Sequence, residues 1–248
     1  MRKIFIKVAC FGSAKAPKDW WLSQSINICR LYYIKGGSGG YIDQNKNKIP
    51  FHKGNIYIHP FNLNDCFYTD PTDPIDHIFF DFVSTPPIIS QNPLCYNVDP
   101  DSPISSFLDF LENLFRSSDI YKTDNNYQLA AHLLQSLLFM LDEQSLIPFS
   151  TDSSVCKSLE IIQKNYKNEI NVKELAEYSG FEMNYFIRRF KKIMGVTPYT
   201  YLKYFRLLKA EELIAKGHTL ESVATEVGYQ NASSLSRALN QKNKNYTK

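Results

Sequence analysis

Glu174-Leu175-Ala176-Glu177-Tyr178-Ser179-Gly180-Phe181 returns in degenerate form as Ser222-Val223-Ala224-Thr225-Glu226-Val227-Gly228-Tyr229, 48 residues further on. After one inserted residue the offset becomes 49, pairing Phe186 with Leu235, Arg188 with Arg237 and Phe190 with Leu239. Each copy reads as a short helix, a glycine turn and a second helix, the helix-turn-helix plan. The two units span about 172–193 and 220–241.

The residue types follow from that plan. Asn171 is placed to cap the first short helix, with Glu174 at capping-box spacing. Ala176 and Ala224 are small where the second helix crosses closely. Gly180 and Gly228 supply a left-handed turn that a residue with a Cβ resists. Phe181 and Tyr229 are expected to plug the angle between helices, and Phe186, Phe190, Leu235 and Leu239 to face inward. The opposite faces are then free for DNA: Asn184, Ile187, Arg188 and Lys191 in the first unit, with Lys192 beside them, and Ser233, Ser236 and Arg237 in the second. Between the units, Thr197-Pro198 reads as a cap and first helical residue. The helix that follows runs to about Lys216 and ends at Gly217. About 18 residues at 1.5 Å each give roughly 27 Å, enough to set two recognition helices in successive major grooves.

Working outward, Leu146 to Ser154 is a polar connector containing Pro148, and the domain boundary is expected there, giving domains 1–148 and 152–248. Two helices should precede it. Ser102-Pro103 opens one at about 103–116, with Ile104, Phe107, Leu108, Leu111, Leu114 and Phe115 in an i, i+3, i+4 stripe. The other covers about 125–143, with Leu129, Leu133, Leu137, Met140 and Leu141 on one face and Leu134, Leu138 and Phe139 widening it. These helices either pack back on the preceding domain, pair with a second copy of the chain, or do both.

Residues 1 to about 100 read as β. Short apolar segments (Ile26–Ile34, Ile56–His59, His77–Val83) alternate with turns at 36–40, 43–48, 53–55, 70–74 and 85–87, the pattern of a sandwich or small barrel. The run Gly36-Gly37-Ser38-Gly39-Gly40 lacks the Gly-Lys-Ser/Thr ending of a phosphate loop and is expected to be a hairpin. The start, Met1 to Cys10, mimics a signal peptide weakly, but Lys7 interrupts it and a first strand fits better.

The chain has 248 residues and a net charge of +3, which names no partner. Split at the connector, residues 1–150 carry net −3 and residues 151–248 net +6. A basic, polyanion-facing module joined to an acidic sensor fits that asymmetry. No run of 18 apolar residues exists to span a bilayer. Five cysteines without a C-x-x-C fit free thiols in a reducing cytoplasm better than disulfides or zinc.

The C-terminal half resembles the AraC/XylS family of bacterial transcription regulators. The matching positions are Gly180-Phe181, Tyr185-Phe186 to Phe190-Lys191-Lys192, Gly195-Val196-Thr197-Pro198, Tyr201-Leu202, Arg206-Leu207, Ala210 and Val223-Ala224 to Gly228-Tyr229. The likeness covers about 154–240. Residues 1–148 are more weakly similar to that family's cupin-like effector domain, through Gly37-Ser38-Gly39, Lys53-Gly54-Asn55, Pro60, Asp70-Pro71 and His77 to Phe82. The resemblance implies a cytoplasmic, effector-responsive activator: an all-β cupin-like barrel followed by two helices, then an all-α double helix-turn-helix domain. Its implied partners are promoter DNA, RNA polymerase, a small-molecule effector such as a sugar, and a second copy of the chain, without a cofactor. The chain departs from the family where Lys244 and Thr247 stand for the expected glycine and proline. A final helix is therefore expected to be absent or frayed, the tail from Asn240 mobile, and unit one dominant in base reading.

Arg188 suits bidentate guanine contact, with a solvated charge or phosphate contact as the plainer role. Lys191, Lys192, Lys203 and Lys209 suit phosphate or solvent, and Arg206 an internal salt bridge to Glu174 or Glu177. The competing class is a cupin-type small-molecule-binding protein or enzyme with a vestigial DNA-binding domain. Its metal chemistry needs histidines at i and i+2, and His52, His59, His77, His132 and His218 form no such pair, although His59 and His77 are able to converge across strands. No nucleophile elbow is present, so no catalytic or metal residue is assigned. The interior of a small barrel offers Arg30, Tyr32, Tyr41, Tyr57 and Phe79, none assigned to an effector.

Overall fold

The computed structural model describes residues 4–23, 28–61, 63, 65–116, 124–143 and 147–244. They form two compact units. The first covers residues up to Ser84 and Ser90–Pro148; the second takes Thr85–Ile89 together with Phe149 onward.

The first unit is built from β1 (Phe5–Lys15), β2 (Trp21–Ser23), β3 (Cys29–Gly36), β4 (Gly39–Ile42), β5 (Lys48–Pro50), β6 (Asn55–His59), β7 (Cys66–Thr69), β8 (Asp76–Thr85) and β9 (Leu94–Asn97). These make a five-stranded sheet in the order β1-β8-β3-β6-β9 and a four-stranded sheet in the order β2-β7-β4-β5. Tyr32 and Ile34 of the larger sheet meet Tyr41 and Phe67 of the smaller one in a shared aromatic core. The Tyr32 and Phe67 rings meet edge to face at 5.2 Å. The other face of the larger sheet is covered by α1 (Pro103–Arg116) and α2 (Asp124–Asp142), with Phe115 against Phe11 at 5.1 Å and Phe80 at 5.5 Å. β6, Asn55-Ile56-Tyr57-Ile58-His59, is buried at every position and shows no alternation of buried and exposed residues. Each aromatic side chain so enclosed contributes about 1.5–3 kcal/mol of burial energy.

Several expectations change here. The glycine run makes no hairpin: β3 and β4 lie in different sheets, and the run carries the chain between them. Gly37 takes φ +81°, and a Cβ on it would stand 2.3 Å from the Pro74 carbonyl oxygen. Ser38 N–H donates to the Asp73 carbonyl and Asp70 N–H to the Ser38 carbonyl, both at 2.8 Å, so the run packs against the Asp70–Pro74 turn. On α2 the buried stripe is Ala130, Leu134, Leu137, Leu138 and Leu141, while Leu129 is 40% exposed. The stripe thus lies one residue round from the expected one, because α2 follows the β1 surface.

Inside the first unit, Arg30 of β3 is buried with its Nε 3.2 Å from Asp81 of β8 and its guanidinium 5.6 Å from the Phe67 ring. His59 and His77 are both buried and flank the Tyr32 ring at 6.2 and 5.3 Å. His59 meets Asp65 at 2.8 Å. Among the described residues no cluster of three His, Cys, Asp or Glu side chains suits a metal ion. No disulfide joins the five cysteines. None of the described helices is long and apolar enough to cross a membrane.

The second unit holds α3 (Ser153–Asn165), α4 (Val172–Tyr178), α5 (Met183–Met194), α6 (Pro198–Ala215), α7 (Leu220–Glu226) and α8 (Ala232–Lys244). Ile88 forms a bridge with Phe149, and Gln163 of α3 donates to the Thr85 hydroxyl at 2.9 Å. The Thr85–Ile89 segment thereby joins a unit whose remaining residues follow it by some sixty positions, an excursion invisible to a linear reading.

Candidate nucleic-acid interface

Two helix pairs, α4–α5 and α7–α8, flank α6. The turn glycines are left-handed as the sequence requires: Gly180 at φ +74° and Gly228 at φ +80°. Ala176 and Ala224 are buried to 1% exposure, permitting the close helix crossing. Phe186, Phe190 and Leu235 are wholly buried, and Leu239 packs partly against the second core. Phe181 sits beside Tyr185 at 5.0 Å, and Tyr229 packs against the core formed by Val223, Ala224 and Leu235.

α6 is buried on more than one side because it serves both pairs. Its Tyr201 ring meets Phe190 at 6.1 Å, while Leu207 and Ala210 join the core under α7 and α8. Thr197 caps it, accepting from Thr200 N–H, Pro198 opens it, and Gly217 follows its C-cap at φ +84°. Its 18 residues make a rod of about 27 Å.

The short helices start at the expected caps. Asn171 accepts from Lys173 N–H at 2.9 Å, two residues on, rather than from Glu174 as a capping box would require. Thr219 caps α7 through Ser222 N–H. α8 is capped by Asn231, which accepts from Ser234 N–H. At the matching place before α5 stands Glu182, which accepts from Asn184 and Tyr185 N–H at 2.9 and 3.1 Å. These backbone donors hold the Glu182 carboxyl below its ordinary range.

Of the residues expected to face DNA, Asn184, Arg188, Lys191 and Lys192 on α5 and Ser233 and Arg237 on α8 are exposed. Ile187 and Ser236 are half-buried. Arg237 folds back, its Nε donating to the Ser233 carbonyl at 3.3 Å. Lys209 is engaged with Glu212 at 3.1 Å. Arg206 is structural but not through Glu174 or Glu177. Its Nε donates to the Tyr166 carbonyl at 2.7 Å and its Nη2 to the Asn168 carbonyl at 2.8 Å. That ties the turn after α3 to the middle of α6.

The sequence reading overlooked Arg189. It pairs with Asp152 at 2.6 Å, donates to the Tyr185 hydroxyl at 3.2 Å and lies 5.4 Å from the Phe181 ring centre. The available signal was the four-residue spacing of Tyr185 and Arg189, which places the two on one side of α5. The tail also differs from expectation. α8 remains helical through Lys244, one position past the point equivalent to Met194, because no glycine stands at 244 to reverse the chain as Gly195 does at φ +71°. Residues from Asn245 on, including Thr247, lie outside the described residues.

Residues 166–243, spanning both helix pairs and α6, match the family described as Helix-turn-helix domain. This is an AraC-type helix-turn-helix domain. The lactose operon transcription activator of Staphylococcus xylosus is 28% identical over 120 residues, covering 46% of this chain and 43% of that protein. The HTH-type transcriptional activator Btr of Bacillus subtilis is 24% identical over 237 residues, covering 90% of this chain and 44% of that protein. The chain thus spans less than half the length of these curated relatives. ToxT from Vibrio cholerae O395 is similar in fold, with a TM-score of 0.61 at 12% identity over 95% of this chain and 91% of that one. Its likeness extends beyond the AraC-type domain to the two-sheet first unit, so a β-rich domain followed by a helical one is the shared architecture.

Proposed function

We propose that the chain is a sequence-specific transcription regulator in which the AraC-type domain docks both recognition helices, α5 and α8, in successive major grooves. The observation that carries this reading is the pair of helix-turn-helix units on one continuous helix, α6, whose length of about 27 Å approaches the 34 Å repeat of the duplex. The DNA-facing set is Asn184, Ile187 and Arg188 on bases, Lys191 and Lys192 on phosphates, and Ser233, Ser236 and Arg237 of the second unit, which contribute mainly phosphate contacts. Unit one dominates base reading, since α8 presents Ser233 and Ser236 where α5 presents Asn184 and Ile187.

In this reading the boundary between sensor and reader lies within 148–152, and the first unit receives a small-molecule effector. The lactose operon activator of Staphylococcus favours a sugar, and both relatives being activators favours activation; contact with RNA polymerase is the simplest route to it. Phe110 on α1 and Leu129 on α2 are 51% and 40% exposed, which supports a homodimer formed through these helices. The working compartment is the cytoplasm. A mobility-shift assay of the full chain on DNA flanking its own coding region tests the reading, with a screen of sugars for those that change the shift. A salt-sensitive, sequence-selective shift supports it, and its absence at low salt overturns it.

A further inference from the structure

Between α6 and α8 lies a cavity of about 360 Å³, a size within the range of small-molecule sites. Its floor is Leu202 and Ala238, and its walls carry Tyr199, Lys203, Arg206, Tyr229, Arg237 and Gln241. Three cations and two phenols therefore face one space, with no carboxylate among the lining residues.

Several other cations of the second unit are paired with carboxylates. Lys167 is paired with Glu226, Lys209 and Lys216 with Glu212, and Arg189 with Asp152. The three cavity cations instead meet neutral oxygens among the described residues. Lys203 donates to the Gln241 amide at 3.3 Å, Arg206 to two backbone carbonyls, and Arg237 to the Ser233 carbonyl. Arg206 is held in place, because both of its carbonyl acceptors belong to the turn after α3. Its seat also needs Gly228, where a Cβ would stand 3.0 Å from Nη2. The two carbonyls use Nε and Nη2, so the Nη1 hydrogens stay available. Burial without a counter-charge pulls the Arg206 guanidinium below its ordinary range. A fixed guanidinium, an ammonium and a second guanidinium around one space form the donor set that a phosphate group takes. Two phenol rings on the same walls offer faces for a planar or ring-shaped moiety.

We propose that this cavity binds a small phosphate monoester that carries a ring, of the nucleoside monophosphate or sugar phosphate class. Arg206, Lys203 and Arg237 hold the phosphate, and Tyr199 and Tyr229 flank the ring. A duplex backbone supplies the phosphate but no free ring to fill the aromatic walls, which is why a small molecule fits better. Because Arg237 is also in the DNA-facing set, the ligand and DNA compete for it. That second step rests on the function proposed above, whereas ligand binding itself does not.

The test is calorimetry on the full chain with AMP as probe, and with adenosine and inorganic phosphate as its two halves. AMP is expected to bind at least about tenfold more tightly than either half. Lys203→Glu and Tyr199→Ala, both at exposed or rim positions, are expected to weaken it at least about tenfold while leaving the melting temperature in place. Ribose 5-phosphate in parallel separates a sugar phosphate from a nucleotide as the tighter class. Failure of both AMP and ribose 5-phosphate to bind, or binding that neither variant changes, overturns the proposal. A Lys203→Glu loss confined to DNA binding overturns it as well, since the cavity is then a seat for duplex phosphates only. The DNA arm is separate: saturating AMP is expected to weaken the mobility shift of the wild-type chain. If the chain binds no DNA but binds AMP as stated, the cavity stands and the regulator reading falls.

Discussion

Arg189 of the first recognition helix holds its guanidinium 2.6 Å from the Asp152 carboxylate that caps α3. One carboxylate oxygen accepts from the N–H groups of Ser154 and Val155, and the other takes Arg189. The connector between the β-rich and helical parts of the chain thus ends on a residue that also orients α5. Turned to Asp152, Arg189 leaves Arg188, its neighbour, on the exposed side.

Replacing Asp152 separates its two jobs. Asp152→Asn keeps a capping oxygen and loses the ion pair, which at a partly exposed site contributes about 0.2–1 kcal/mol. Asp152→Ala also loses the cap, about 1 kcal/mol more. Denaturant unfolding of the two variants is expected to rank them in that order. Equal loss from both would show that the cap contributes nothing.

Acid should weaken the first unit through His77. Burial lowers its pKa to about 4, and burial lowers that of His59 as well, against the pull of Asp65. The unfolded chain takes up a proton near pH 6.5 while the folded chain does not, so stability is full above about 6.5 and falls as the pH drops towards 4. His77 alone accounts for up to about 3 kcal/mol over that window. The chain's two tryptophans, Trp20 and Trp21, lie in this unit, and Trp20 is 5.7 Å from the His77 ring. Tryptophan fluorescence in urea at pH 7.5 and pH 5 is expected to show the loss, and His77→Gln to flatten it. An unchanged slope in His77→Gln would assign the pH effect elsewhere.

The two turn glycines should differ in cost. Gly180 is left-handed, and a Cβ added there would meet nothing within 4 Å, so Gly180→Ala bears backbone strain alone, about 1–2 kcal/mol. At Gly228 the same strain is joined by a Cβ 2.5 Å from the Lys167 carbonyl oxygen and 3.0 Å from Arg206. Gly228→Ala is expected to lower the thermal midpoint clearly more than Gly180→Ala. The reverse order would mean that the Lys167 turn yields without cost.

The second unit was the more legible half because its caps, turn glycines and small crossing residues act locally, each within one helix pair. Thr197-Pro198, Gly180 and Gly228 could be placed from the chain alone for that reason. The first unit was harder. Strands buried on both faces, such as β6, carry no alternation to read, and the glycine run at 36–40 is explained by a contact with Pro74 that only the fold supplies. Arg206 illustrates the limit within the helical half. Its guanidinium sought partners among carboxylates in the sequence reading, whereas the fold gives it the carbonyls of Tyr166 and Asn168, which no residue type announces.

The central claim is that α5 and α8 read one duplex together, with α5 dominant. Selection of binding sites from a random duplex pool by the full chain, repeated with Arg188→Ala and Arg237→Ala, tests it most directly. The account predicts an enriched site with two short motifs about one helical turn, 10–10.5 base pairs, apart. Arg188→Ala should cost about 1–3 kcal/mol and relax one base pair of the first motif. Arg237→Ala should weaken binding less, across all sequences alike, and reduce its salt dependence. No enriched site, or equal losses of specificity from the two variants, would contradict it.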